Sequence, residues 1–112
     1  MSHLVSRVLV DMDLCAHRTV IEVRDNGDGV LSIRIDSSCA HVVDYARLLT
    51  AVTMEDICIL KGSKIIDLAS NARLTPTCLV PSGVFNACWL ETGMISRNLV
   101  KSRPKICINF LD

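Results

Sequence analysis

The sequence has few aromatic residues, no net charge and no long apolar run. Only one Trp, one Tyr and two Phe occur among 112 residues, so a core built from the 50% hydrophobic content is mainly aliphatic. Twelve basic residues balance twelve acidic ones without any basic tract, which argues against binding to nucleic acid or an anionic membrane. No apolar run approaches the roughly 20 residues of a membrane helix.

Several targeting and catalytic motifs are also missing. Residues 1–7 contain no charged region followed by an apolar signal core, so we expect a cytoplasmic protein. There is no Ser-His-Asp spacing, phosphate-cradling glycine loop or paired-carboxylate signature. There is also no Cys-x-x-Cys, the element of zinc ribbons and dithiol redox motifs. Whether the protein is an enzyme is left open.

The length predicts a single domain over residues 1–112, large enough for a core without crosslinks. No repeat, low-complexity segment or internal linker divides the chain. A surplus of apolar residues in so small a chain suggests that some of them cover a partner. We therefore expect a homo-oligomer.

Alternating apolar residues predict three strands at the start of the chain. Residues 5–14 and 19–23 have strand character and are separated by Cys15-Ala16-His17, and residues 30–36 alternate cleanly. The turn Asn26-Gly27-Asp28-Gly29 is a strong hairpin signal between the second and third strands. The pattern predicts a three-stranded antiparallel meander.

Helical periodicity follows the meander. An apolar stripe runs from Cys39 to Leu49 after a Ser37-Ser38 cap, and Thr53 with Asp56 forms a capping-box pattern for a short helix. Further helices are predicted over residues 64–73 and 81–96, and a closing strand over residues 105–110. This order predicts an α+β fold: a three-stranded meander, three to four helices packed on one face, and a C-terminal strand.

The six cysteines are divided by their positions. In a cytoplasmic protein, cysteines are interpreted first as small buried hydrophobes, then as metal or redox ligands, and last as disulfides. Three are expected to fill the core, because they lie between isoleucines or on the buried side of a helix: Cys58, Cys88 and Cys107. The other three lie where a loop meets a strand or helix, which favours function: Cys15, Cys39 and Cys78.

The meander places Cys15 and Cys39 at one end of the sheet, because the glycine turn occupies the other end. Neighbouring strands are about 4.8 Å apart, so these two cysteines are expected within roughly 10 Å of each other. Cys78 lies just before a helix that begins at Pro81, where the helix dipole favours a thiolate. If that helix starts at the same end of the sheet, Cys78 completes a three-thiol cluster.

A three-thiol cluster predicts a metal site holding zinc or an iron–sulfur cluster. His41 is the first candidate for a fourth ligand, because it follows Cys39 in the pattern Cys-x-His, and Cys₃His is a known zinc ligand set. His17 follows Cys15 in the same pattern, and Cys88 is a further candidate. Iron–sulfur clusters also use cysteine thiolates, so the site would suit redox chemistry or electron transfer.

Two other interpretations stay open. Cys78 alone would serve a sulfur carrier or thiol enzyme as its nucleophile. Alternatively, the protein is a non-enzymatic homo-oligomeric interaction module whose cysteines are packing residues. Metal content and the reactivity of Cys78 distinguish these hypotheses.

The segments around Cys15, Ser38-Cys39-Ala40-His41 and Thr77-Cys78-Leu79-Val80-Pro81 resemble a family of short uncharacterised proteins from archaea and anaerobic bacteria. Its members look alike in a hairpin cysteine, a Ser/Asp-Cys helix start and a Cys-x-Val-Pro helix start. The resemblance spans most of the chain and implies an alignment of cysteines without an established activity. A shorter similarity relates residues 78–81 to the Cys-Pro-x-Pro helix start of small sulfur-carrier proteins, although Leu79 replaces the first proline and the order of elements differs.

Overall fold

The computed structural model describes residues 5–112, which fold into a four-stranded antiparallel sheet with helices on one face. The strands follow one another in the sheet in the order in which they occur in the chain. They are β1 (Ser6–Met12), β2 (His17–Asp25), β3 (Val30–Ser37) and β4 (Ala51–Thr53). The predicted meander is confirmed as β1–β3, while β4 was not predicted from the sequence.

Alternation along the strands determines which face of the sheet is covered. On β2 and β3 the side chains of Ile21, Val23 and Leu31 are buried, whereas Arg24 and Arg34 are exposed on the other face. Because successive side chains of a strand point to opposite faces, the β-branched and leucine positions together form one apolar face. The helices cover this face.

The β2–β3 turn confirms the predicted hairpin. Gly27 and Gly29 have φ values of 81° and 85°, a left-handed conformation that glycine adopts without steric cost. The amide of Gly27 donates to Oδ1 of Asp25 over 2.8 Å. The turn therefore follows from residues that are adjacent in the sequence.

Five helices follow the meander, and the larger ones form the layer on the sheet. α1 packs on β3, α4 packs on β1 and β2, and α3 contacts both α1 and α4. None of the helices in residues 5–112 combines the length and the apolar character that crossing a membrane requires. The five are α1 (Ala40–Leu48), α2 (Met54–Cys58), α3 (Lys64–Asn71), α4 (Val80–Glu91) and α5 (Arg97–Ser102).

The capping box at the start of α2 is confirmed. The amide of Thr53 donates to Oδ2 of Asp56 over 3.0 Å, and the amide of Asp56 donates to Oγ1 of Thr53 over 3.4 Å. Asp56 also accepts from the amide of Lys64 at the start of α3. One carboxylate thus holds the beginnings of two helices together.

One strand was not predicted, and one predicted helix is shorter than expected. β4 occupies part of the segment between the first two predicted helices, where three residues are too few to show strand alternation, and Val52 is buried opposite Leu31 of β3. The helix predicted over residues 81–96 ends at Glu91, because Gly93 has a φ of 81°. A separate helix, α5, begins after Ser96, whose hydroxyl accepts from the amide of Leu99.

The predicted closing strand over residues 105–110 is not part of the sheet. Residues 103–112 form neither helix nor strand, and the side chains of Ile106, Ile108 and Phe110 are 79%, 68% and 79% exposed. The alternation in this segment is compatible with a strand. Alternation alone, however, does not supply a partner strand, and the segment has none in the described structure.

Candidate metal centre

Cys15 and Cys39 lie at the same end of the sheet, as the meander predicts. Met12 at the end of β1 pairs with His17 at the start of β2, and Thr19 pairs with Ser37 at the end of β3. Cys15 ends the short 3₁₀ turn between β1 and β2. Cys39 follows β3 and is the N-cap residue of α1. We refer to this end of the sheet, with its two cysteines, as the cysteine rim.

The direction of α4 places Cys78 at the cysteine rim. Near its start, α4 crosses β1 so closely that a Cβ on Gly83 would contact Cγ2 of Val10. At its end, Oε1 of Glu91 accepts from the hydroxyl of Ser6 over 2.7 Å. The helix therefore runs antiparallel to β1. The two contacts are about 12 Å apart along the helix, from Gly83 to Glu91, and about 13 Å apart along the strand, from Val10 to Ser6, so the two lengths agree. Its beginning, two residues after Cys78, lies toward the end of β1 that carries Cys15.

The electrostatics of Cys78 agree with this geometry. Burial raises the pKa of the Cys78 thiol, a hydrogen bond from the amide of Val80 opposes that shift, and the charges of Cys39 and Cys15 raise the pKa further. Cys39 and Cys78 are half-buried against the core, whereas Cys15 is exposed. Cys15 and Cys39, from two other segments of the chain, are thus close enough to Cys78 to raise the pKa of its thiol.

The expected activation of Cys78 by its helix is not observed. The amide of Val80 acts in the predicted direction, because it lowers the pKa of the thiol. Burial nevertheless dominates, since a thiolate loses more hydration in a half-buried position than one amide replaces. At neutral pH Cys78 is therefore a thiol unless a cation lies beside it.

Hydroxyl groups and an imidazole surround Cys39 at the rim. Nδ1 of His17 and Oγ of Ser38 are 2.9 Å apart and share a hydrogen bond. Oγ of Ser37 accepts from the hydroxyl of Thr19 over 2.7 Å and from the amide of Cys39 over 3.1 Å. These contacts hold the loop before α1 in place, and they join His17 to Ser38, the residue that precedes Cys39. The helix cap predicted at Ser37-Ser38 is wrong, because Cys39 is the N-cap residue and no side chain caps the helix.

His41 occupies a different surface. Its side chain is exposed and lines a groove between α1 and the end of α3, together with Asp44, Arg47 and Arg73. No cysteine lines this groove among the residues that the structure describes. Of the two histidines proposed as a fourth ligand, His17 is the one that contacts the loop carrying Cys39.

The remaining cysteines differ from one another. Cys88 is fully buried, as predicted, and burial together with the charge of Glu91 raises its pKa to about 12. Cys58 and Cys107 are exposed, so the prediction that they fill the core is wrong. Their isoleucine neighbours suggested burial, but α2 ends at Cys58 and Cys107 lies in the C-terminal tail.

The donor set suits a soft metal, although the side chains are not arranged around one. Thiolates are the usual ligands of structural zinc and of iron–sulfur clusters. Across residues 5–112, no group of three or more His, Cys, Asp or Glu side chains has a metal-binding arrangement. The thiol of Cys15 instead donates to the carbonyl oxygen of Met12 over a long 3.5 Å.

Comparison with known proteins relates the chain to one family. The profile of a family of unknown function, DUF6951, matches residues 6–102. The chain belongs to this family. The matched region contains the whole cysteine rim and ends where α5 ends, so it leaves out the C-terminal tail. No curated protein and no solved structure matches the chain. The resemblance to an uncharacterised family is confirmed, and this family has no established function.

Proposed function

We propose that Cys15, Cys39 and Cys78 bind zinc or an iron–sulfur cluster through their thiolates. The observation that carries the proposal is the convergence of three cysteines, from the β1–β2 turn, the start of α1 and the loop before α4, at one end of the sheet. Thiols used only for packing have no reason to meet at a rim where one of them is exposed.

A cation resolves the electrostatic conflict among these thiols. Each neighbouring thiolate raises the pKa of Cys78, so the three sulfurs do not all ionise unaided near neutral pH. A bound cation reverses this effect, and each ligating thiol then releases its proton to solvent. The amide of Val80 is already directed at the Cys78 sulfur and supports the thiolate form.

The three cysteines have different freedom to move. Cys39 and Cys78 are packed against the core and form the fixed part of the site, whereas Cys15 lies on an exposed turn. Its long hydrogen bond to Met12 is weak, so rotation of one side chain is the main adjustment required. His17 and His41 are the candidate fourth ligands, and the contact with Ser38 favours His17.

The kind of metal determines the function. Zinc at this site would tie three chain segments together, and an iron–sulfur cluster would supply one-electron transfer. A sulfur carrier that uses Cys78 alone is less favoured, because a nucleophilic thiol needs a lowered pKa and that of Cys78 is raised.

The first prediction concerns metal content. Protein purified without oxygen is expected to contain zinc, or iron with acid-labile sulfide, in a constant ratio to the chain. Changing Cys15, Cys39 or Cys78 to Ser should each remove most of the metal, because every ligand contributes to the same site. Elemental analysis and a sulfide assay measure this directly.

The exposed Cys58 and Cys107 provide matched controls, and Cys58→Ser and Cys107→Ser should retain the metal. His17→Ala should weaken metal binding more than His41→Ala does. A metal-free protein after anaerobic purification and reconstitution would contradict the proposal, as would retention of metal in all three Ser variants.

A further inference from the structure

The C-terminal tail, residues 103–112, has the pattern of a strand and no partner. Ile106, Ile108 and Phe110 alternate with Lys105, Cys107 and Asn109, and all ten tail residues are exposed. After Arg103, whose amide donates to Leu99, no tail residue makes a backbone hydrogen bond in the part of the chain that the structure describes. In an extended conformation, Ile106, Ile108 and Phe110 would lie on one face, and an exposed apolar face of this kind is typical of a binding surface.

The sheet has an edge that can pair with such a segment. β1 is the first strand in the sheet order, and within residues 5–112 it pairs only with β2. An edge strand presents unpaired N–H and C=O groups along its outer side. At seven residues, β1 is much longer than the three-residue β4 at the opposite edge. β1 therefore offers the longer template.

The apolar surface beside β1 matches the apolar face of the tail. On the helix-covered side of the sheet, Val8 and Met12 are only half-buried although they pack against the core. A strand added at this edge with Ile106, Ile108 and Phe110 on the same side would cover both of them. Cys107 would then lie on the open face, beside Arg7, Leu9 and Asp11.

We propose that the tail of one chain adds as a fifth strand to the β1 edge of a second copy, and that the two copies exchange tails. Arg97 at the start of α5 donates to Oγ of Ser6 over 2.9 Å, so α5 begins beside the start of β1. This helix is only about 9 Å long, so the tail leaves the molecule near the edge that would receive its counterpart. Each copy then donates its own tail and accepts the tail of the other copy, which is the reciprocal contact of a twofold dimer.

The exchanged segments supply a large part of a standard interface. A standard interface uses about 20–30 residues from each partner. Each copy contributes its ten tail residues and the strand and helix residues that receive the other tail. Backbone pairing supplies affinity and the alternating side chains supply register, as in other cases of strand addition.

The test compares the mass of the protein in solution with and without the tail. By light scattering, the full chain is expected at twice the 12.3 kDa of one copy, and a chain ending at Arg103 at the monomer mass. Folding should survive the truncation, because residues 104–112 lie outside the family match and pack on nothing described. Ile108→Asp should also give a monomer, while the matched change Asn109→Asp should leave the dimer intact.

Crosslinking identifies the edge. Under mild oxidation, Cys107 should form a covalent dimer with a cysteine introduced at one of three β1 positions, in Arg7→Cys, Leu9→Cys or Asp11→Cys, because facing residues on paired strands are close enough for a disulfide. Val20→Cys on β2, one strand further in, should not crosslink, and Cys107→Ser should abolish the product. A monomeric full chain, a dimer that survives truncation, a crosslink within one chain or an equal yield with Val20→Cys would each overturn the proposal.

Discussion

Burial divides the cysteines into groups with different chemistry. Cys88 is fully buried and its pKa is raised to about 12, so it is a packing residue. Cys39 and Cys78 are half-buried and pack against the core, so they retain both a fixed position and some access to solvent. Cys15 is exposed on a turn. The proposed metal site would combine two ligands packed against the core with one exposed ligand.

Tyr45 shows how burial controls ionisation in the same region. Burial raises the pKa of its hydroxyl, and the charges of Cys78 and Cys88 raise it further. The hydroxyl donates to the carbonyl oxygen of Ile65 over 2.7 Å. Tyr45 therefore stays neutral and links α1 to α3 behind the cysteine rim.

At the scale of one residue, Asp56 predicts a pH-dependent stability. Burial alone would raise its pKa, but hydrogen bonds from the amides of Thr53 and Lys64 and from the Thr53 hydroxyl, together with the charge of Lys64, lower it below the ordinary value. A carboxylate with a lowered folded-state pKa stabilises the fold above its unfolded pKa of about 3.9. Asp56→Ala should cost about 1 kcal/mol at pH 7, the typical size of a helix cap.

The difference between the wild type and Asp56→Ala should shrink as the pH falls below about 4, because the wild type then loses its ionised carboxylate. Urea unfolding at a series of pH values measures this. Glu55→Ala, a neighbouring acidic residue in the first turn of α2, is the matched control. A difference that stays constant down to low pH would show that the charge of Asp56 is not responsible.

At the scale of the elements, the approach of α4 to the sheet depends on Gly83. A Cβ at this position would contact Cγ2 of Val10 and lie 2.9 Å from Cδ1 of Ile21. These are the side chains of two central positions on β1 and β2. The backbone of the helix therefore packs directly on side chains of the sheet, and this contact also determines where its first turn and Cys78 lie.

Gly83→Ala is expected to destabilise the protein, although alanine favours helices over glycine. Overpacking in a close-packed core typically costs about 1–3 kcal/mol, which exceeds the gain of about 1 kcal/mol in helix propensity. Thermal or urea unfolding measures the change. Ser82→Ala, on the exposed side of the same helix, should be neutral or slightly stabilising. Equal stability of Gly83→Ala and the wild type would contradict the close approach.

At the scale of the whole molecule, Glu91 joins segments that lie far apart in the sequence. Its carboxylate accepts from the Ser6 hydroxyl, from the amide of Asp25 over 2.8 Å and from Nη2 of Arg97 at 3.4 Å. These partners belong to the start of β1, the end of β2 and the start of α5. The buried carboxylate thus fixes the end of the sheet that lies opposite the cysteine rim, and it holds the start of α5 there.

Glu91→Gln should destabilise the fold by about 1–3 kcal/mol. The NH2 group of the glutamine side chain would face a buried donor that now gives its hydrogen bond to the carboxylate. Arg97→Ala should cost less, since that side chain is 51% exposed and the Ser6 hydroxyl and the Asp25 amide still donate to the carboxylate. Unfolding curves of the two variants test this order. A larger loss for Arg97→Ala than for Glu91→Gln would contradict it.

The turns, the pairing of consecutive strands and the helix cap of α2 could be predicted from the sequence. The hairpin turn at Gly27 and Gly29 and the Thr53–Asp56 capping box depend on residues within a few positions of one another, the meander pairs strands that are consecutive in the chain, and the structure confirms all three. The meander also predicts that Cys15 and Cys39 share one end of the sheet, because antiparallel strands alternate in direction. These features follow from short-range backbone and side-chain chemistry.

Only the tertiary structure decided the rest. The direction of α4, which brings Cys78 to the same rim, depends on Gly83 meeting Val10 more than seventy positions away. The raised pKa of Cys78 depends on burial by several elements, and the exposed tail depends on the absence of a partner strand among the described residues. Burial and long-range contacts depend on how all the elements of the fold pack together, so no local pattern in the sequence determines them.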